Sequence, residues 1–260
     1  MTTECSGKQP KVEPEGSAVF LSIVVPAYNE EHRLPGSFDL ILGFLDRQPY
    51  RAEVLIVENG SSDRTWDVAT AAAERDSRIR VLREPIRGKG AAVRRGMLAA
   101  NGQYRFLCDA DLSMPIEELK NFLPPRLEHF DIAIGSREAV GAVRYEEPGM
   151  RHVMGRVFNT LVRLLLIPKI QDTQCGFKCF VAEAANEIFS RVTRTGFGFD
   201  VEALVIANRF GYRIEQIPVR WHFDSDSRVR VIQDTLGTVL DVLVIWLKAS
   251  RGAYDPKQSN

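Results

Sequence analysis

The chain has 260 residues, 45% of them hydrophobic and 26% charged, with 34 Lys plus Arg balanced by 34 Asp plus Glu. That length and apolar content suit one large folded domain or two small ones, and zero net charge gives nucleic acid no long-range attraction, so no nucleic-acid partner is expected. The four cysteines, Cys5, Cys108, Cys175 and Cys179, form no CxxC pair, which argues against a zinc site or disulfide framework and for a reducing, cytosolic compartment.

Residues 1–18 are polar and have no apolar run, so they read as a disordered tail and not as a signal peptide. From there two patterns alternate. Leu21-Ser22-Ile23-Val24-Val25-Pro26 is a buried strand ended by a proline, with a helix over about 31–47. Val54 to Val57 is a second strand, followed by Asn59-Gly60-Ser61-Ser62 and a helix opening near Asp63. Ile79 to Leu82 is a third, after which Gly88-Lys89-Gly90 starts an Ala-rich helix that ends near Asn101-Gly102. Tyr104 to Cys108 is a fourth strand, stopping at Asp109, and Ile132 to Gly135 is a fifth. Strands of this kind alternating with helices specify an α/β fold with a mostly parallel central sheet flanked by helices. Such sheets bind ligands beyond the carboxyl ends of their strands, where Asn29, Glu58, Asp109 and Asp111 all fall.

The second half is less regular. Helices are expected over 150–167, 199–210 and 231–249, and strands over 176–181 and 213–219. With no repeat and no low-complexity linker, one continuous domain is expected over 19–225, then an amphipathic helix and tail over 226–260. The longest uninterrupted apolar run, Val242 to Leu247, is far short of the roughly 20 residues that cross a bilayer.

Asp109 and Asp111 follow the fourth strand one residue apart. If the strand's alternation continues through them, both carboxylates face one way and can hold a hard divalent cation, Mg²⁺ or Mn²⁺, with diphosphate oxygens completing its shell. The other reading is a pair of turn or capping aspartates, Asp111 capping the helix after Pro115. Pro26-Ala27-Tyr28-Asn29-Glu30 offers an aromatic ring to stack on a base or ribose and a carboxylate to accept from it; alternatively it is a turn with Asn29 as a cap. Glu58 is a second acceptor for the nucleoside. Arg87-Gly88-Lys89-Gly90 makes an anion cradle at a helix start, or an exposed basic turn. Arginines crowd residues 75–95, and Arg220, Arg228 and Arg230 form a second group, a pattern fitting a phosphate-bearing substrate. Asp172 to Phe177 suits a rim for sugar and acceptor. Asp200 and Glu202 start a helix, where its dipole alone accounts for them.

In this order the segments VVPAYNE (24–30), VENGSSDRT (57–65), RGKGAAVRRGM (87–97), CDADLSMP (108–115), IGSRE (134–138), DTQCGFKCF (172–180), GFDVEAL (198–204) and PVRW (218–221) resemble the family 2 glycosyltransferases of the GT-A fold. Within that family they look most like the polyprenyl-phosphate sugar synthases, such as those that load glucose or mannose onto dolichyl phosphate. The resemblance implies a single GT-A domain. It implies Pro26, Ala27, Tyr28, Glu30 and Glu58 around base and ribose, Lys89 on phosphate, and Asp109-Ala110-Asp111 on the nucleotide-sugar diphosphate, with the two aspartates as metal ligands. Arg137, Arg220 and Arg228 are then candidates for an acceptor phosphate. Two departures stand out: the family usually has Asp where Glu58 and Asn59 stand, and many members carry transmembrane helices.

The expected reaction is inverting transfer of a hexose from a nucleoside diphosphate sugar, UDP-linked, to a polyprenyl phosphate at the cytoplasmic membrane face. A phosphate acceptor is already anionic and needs no strong base; a hydroxyl acceptor would need one, with Asp172 or Asp200 as candidates. Helices 150–167 and 231–249 are amphipathic enough to lie in a membrane interface or simply to cover the sheet, and a separate membrane partner is the other route to the lipid. Transfer to a soluble or polysaccharide acceptor, and a sugar-phosphate nucleotidyltransferase, remain as alternatives.

Overall fold

The computed structural model describes residues 18–224 and 231–256; residues 1–17 of the tail expected over 1–18, Arg228 and Arg230 lie outside them. The first three strands, β1 (Leu21–Ala27), β2 (Ala52–Glu58) and β3 (Ile79–Arg83), are joined by helices α1 (Leu34–Leu45) and α2 (Thr65–Arg75). Helix α3 (Lys89–Ala99) leads to β4 (Tyr104–Leu107), a 3₁₀ segment over Ile116–Phe122, and β5 (Ile132–Ser136). Then come β6 (Val143–Tyr145), α4 (Gly149–Leu165), β7 (Lys178–Val181), α5 (Ala182–Arg191), α6 (Phe199–Arg209), β8 (Ile214–Pro218), β9 (Arg220–His222) and α7 (Val231–Ser250).

The sheet runs β3-β2-β1-β4-β7-β5-β8, and a two-strand ribbon pairs β6 with β9. Every pairing is parallel except those of β7, which runs antiparallel between β4 and β5. Five sequence-read strands are therefore where expected, while the direction of β7 was not foreseen. Register sets the ends of the central strands level: Ala27 lies beside Glu58, and Cys108 N–H bonds Val24 O just past the β1–β4 ladder.

Strand alternation splits the core in two. On one face Val24, Leu55, Val57 and Leu107 pack with Val93 and Met97 of α3 and with α5, α6 and α7. On the other, Ile23, Val25, Ile56 and Phe106 pack with Phe38, Ile41 and Phe44 of α1 and with Leu119 and Phe122 of the 3₁₀ segment. Val242, Ile245 and Ala249 of α7 join the first core. Burying a side chain of this size contributes about 1.5–3 kcal/mol, and both sheet faces are closed this way. Only the strand ends remain for a polar site.

Candidate active site

The aspartate pair stands at the carboxyl end of the sheet, where β4 leaves between β1 and β7. The strand stops at Leu107, so alternation does not aim the two carboxylates; a turn does, with Leu112 N–H bonding Asp109 O at 3.2 Å. Both side chains line one cavity of about 220 Å³. The capping alternative fails for Asp111: its Oδ1 accepts from Ser113 N–H at 3.0 Å, and no side chain caps the 3₁₀ segment. Ala110 is buried, its carbonyl accepting from Ser37 Oγ at 2.6 Å.

Asp109 Oδ1 meets Lys89 Nζ at 2.6 Å. Burial works against the Lys89 ammonium, but Asp109 and Asp200 more than compensate, and its pKa is raised. Asp111 is the cavity-lining carboxylate without an ion-pair partner among the described residues. Burial first, then the charge of Asp109, pushes its pKa above the ordinary carboxylate value. The donor set is two carboxylates, and among the described residues no group of three or more His, Cys, Asp or Glu is built to hold a metal. That fits Mg²⁺ or Mn²⁺, which are bound by one or two carboxylates with substrate phosphates in the remaining positions. Gly176 permits the close backing of Asp109, since a Cβ there would lie 2.1 Å from Asp109 Oδ2.

Around the rest of the cavity each acid has a cation. Asp200 Oδ1 holds Lys178 Nζ at 2.6 Å, and Lys178 also donates to Cys175 O at 2.6 Å; burial raises the Asp200 pKa and the two lysines oppose it. Asp172 is fully buried and takes Arg137 Nε at 2.7 Å, Nη2 at 2.9 Å and backbone N–H at 3.0 Å. Burial alone would push this carboxyl up, yet Arg137 brings it down to about 2. Glu147 pairs with Arg144 at 2.6 Å, and Asp224 with Arg33 at 2.9 Å. Asp172 thus anchors Arg137, which lines the cavity and lies 5.4 Å from the Trp221 ring.

Arg220 is not among the cavity-lining residues. Strand alternation sends Trp221 inward, while Arg220 bonds Glu118 at 2.6 Å. The cavity instead presents Arg144, a residue that sequence reading passed over; its Nε bonds Arg137 O at 3.1 Å. Nothing in the local pattern VRY marks it, because its partners Glu138 and Glu147 are ordinary loop acids. The arginines of 75–95 do not form one patch: Arg78 pairs with Asp76 and Asp46, Arg80 with Glu53, and Arg83 stacks 4.0 Å over Trp66.

The nucleoside candidates lie at the ends of β1 and β2. Pro26 and Ala27 finish β1, and Tyr28 follows with its ring 5.2 Å from the Arg87 guanidinium, whose Nη2 donates to the Tyr28 hydroxyl. Asn29 is no helix cap; its Oδ1 accepts from Ser62 N–H at 2.8 Å. Glu30 N–H bonds Thr65 Oγ1 at 2.8 Å and its carboxylate pairs with Arg33. Glu58 is buried, bonded by Ser61 N–H and 3.5 Å from Arg83 Nε. A hollow of about 420 Å³ opens there, lined by Glu58, Trp66, Arg83 and Glu84.

A mostly parallel α/β sheet with a lysine and an aspartate pair at its carboxyl edge is the architecture of the GT-A glycosyltransferases, which bind nucleotide sugars. Residues 22–189 match the family described as Glycosyl transferase family 2, and the chain belongs to that family. It is 34% identical over 254 residues to the dolichyl-phosphate beta-glucosyltransferase of Drosophila melanogaster, covering 90% of this chain and 76% of that protein. The human protein of the same name is 35% identical over 258 residues, covering 92% and 78%. In fold it is similar to glucosyl-3-phosphoglycerate synthase from Mycobacterium tuberculosis, solved with UDP (TM-score 0.64, 19% identity, 92% of this chain and 82% of that one). The same enzyme solved with Mn²⁺, UDP-glucose and phosphoglyceric acid superposes with a TM-score of 0.63 at 18% identity, covering 92% and 81%.

Proposed function

We propose that this enzyme transfers a hexose from a UDP-sugar to a polyprenyl phosphate, with inversion at the anomeric carbon and with Mg²⁺ or Mn²⁺ held by Asp109 and Asp111. The observation that carries the acceptor class is the state of the acids. Asp172, Asp200, Glu147 and Asp224 each have a cation within 2.9 Å, so among the described residues the acid of this site without one is Asp111, which the metal would take. A phosphate monoester acceptor is already a nucleophile near neutral pH, so positioning and charge stabilisation supply the acceleration. Relatives named for transfer of glucose to dolichyl phosphate support the same reading.

Tyr28, Glu30 and Glu58 hold the nucleoside. Lys89, at the start of α3, takes the diphosphate and stabilises negative charge on the departing UDP. When bound, the divalent cation adds Lewis-acid stabilisation of that leaving group. Arg137, fixed by Asp172, and Arg144 face the acceptor phosphate. The polyprenyl chain calls for a hydrocarbon environment next to this site. Among the described residues no helix is long and apolar enough to cross a membrane. Helix α4, which lines the cavity through Met154 and Phe158, exposes Met150, Val153, Val157 and Leu164, and neighbouring α7 exposes Leu240, Leu243 and Leu247. These stripes support peripheral attachment to a lipid surface, on the cytosolic side that the unpaired thiols favour.

The test is incubation with Mn²⁺, polyprenyl phosphate and a panel of labelled UDP- and GDP-hexoses. UDP-hexose label passing into organic-extractable lipid is expected; failure with every donor refutes the reading. Asp200→Asn separates acceptor classes: per folded molecule, transfer falls less than about tenfold if no base is needed, against roughly 10²–10⁴ if Asp200 is the base.

A further inference from the structure

Three backbone groups of the segment leading into α3 end on one buried side chain. Asn59 Nδ2 donates to Glu84 O at 2.9 Å and to Ile86 O at 2.7 Å, and its Oδ1 accepts from Gly88 N–H at 2.7 Å. Two carbonyls at one end and an N–H at the other leave the amide a single orientation and use both of its N–H donors. The residue is itself fixed, its own N–H bonding Ala27 O at 3.0 Å. From the opposite side the segment abuts Thr195. Gly88 has φ of 129°, a Cβ there would lie 2.2 Å from Thr195 O, and Ala91 N–H bonds that same carbonyl at 3.2 Å. This clasped segment carries Arg87, which reaches Tyr28, and runs directly into Lys89, which reaches Asp109.

Asn59 is not among the residues lining the cavity. We infer that Asn59 is a positioning residue: its carboxamide fixes the 84–88 segment so that Lys89 meets the diphosphate of the nucleotide. The polarity of the amide is what counts. An aspartate, the residue the family usually has at this position, has the same shape but no donor and would set carboxylate oxygens against the carbonyls of Glu84 and Ile86, so the clasp in this form belongs to the asparagine of this chain. The inference rests on the reading of Lys89 as a diphosphate ligand.

Two measurements test it. The first uses the wild-type chain labelled with ¹⁵N-glycine. The Gly88 amide is expected to exchange with solvent at least tenfold more slowly than an open loop amide, and Asn59→Asp is expected to abolish that protection. Loop-rate exchange at Gly88 in the wild type overturns the clasp whatever the donor proves to be. The second is calorimetric binding of UDP and of uridine in Mn²⁺. Asn59→Ala and Asn59→Asp are each expected to weaken UDP roughly 10–100-fold, as loss of a supporting hydrogen bond does at other sites, and to leave uridine within about twofold. In a Lys89→Ala background, Asn59→Ala is expected to cost no further affinity beyond about twofold. Full additivity there, or equal losses for uridine and UDP, overturns the inference. Failure of the wild type to bind UDP refutes the donor reading, and the Gly88 exchange still decides the clasp.

Discussion

Replacing Asp172 by asparagine removes the charge that answers Arg137 and keeps the shape. In the native protein the carboxylate is fully buried and accepts three bonds from Arg137, at 2.7, 2.9 and 3.0 Å. Its folded-state pKa of about 2, against an ordinary 3.8, converts to about 2 kcal/mol of stability. The sign follows from the depression: the contribution is complete above about pH 4 and is lost as pH falls through 2. The substitution also leaves a partly exposed guanidinium unanswered, 19% of the Arg137 side chain being accessible, so the cost lies toward the lower end of the about 3–5 kcal/mol of a fully buried pair. A loss of about 3 kcal/mol is expected for Asp172→Asn, or about 6–12 °C in Tm for a chain of this size. Urea unfolding of both proteins at pH 7, 4 and 3 measures it, and the gap is expected to narrow between pH 4 and 3. Equal midpoints at pH 7, or a gap that does not change down to pH 3, would refute the reasoning.

Two further outcomes follow from contacts already described. Gly176→Ala places a methyl group 2.1 Å from Asp109 Oδ2, so the carboxylate must move. A displacement on that scale is expected to lower kcat by about 10² while Tm changes by only a few degrees; a variant with wild-type kcat counts against the close backing. Burial raises the pKa of the Cys108 and Cys175 thiols, Cys175 to about 11, and that of Cys179 well above its ordinary value. All three therefore stay protonated and unreactive at pH 8, and mass spectrometry after iodoacetamide treatment should find them unmodified until the chain is denatured.

The alternating half of the fold was legible because each of β1 to β5 is a short apolar run bounded by turn residues, and their carboxyl ends named Glu58, Asp109 and Asp111 directly. Direction was not legible for β7: Lys178-Cys179-Phe180-Val181 reads the same parallel or antiparallel, and only its neighbours decide. Helix α5 follows β7 with no intervening loop, so no turn signal separates them. Nor does local pattern reveal pairings across 35 residues, as for Arg137 with Asp172, or 102, as for Arg220 with Glu118. Those pairings change the reading of the acids and arginines most, because a charge seen alone in the sequence looks available when its partner lies on another element.

The reversed strand has a consequence for how the enzyme comes into being. A parallel β7 would have left Asp172 to Gly176 at the far edge of the sheet; running backwards, it brings them in beside Asp109. The two halves of the site are therefore joined by the β4–β7 ladder, in which Leu107 pairs with Lys178, and this contact closes a long loop. Loop-closure entropy must be overcome before such a contact contributes. A nascent chain that has completed β1 to β4 and the turn after them carries Asp109 and Asp111 but not the wall behind them, and becomes an enzyme only once the later strand has threaded back into the sheet.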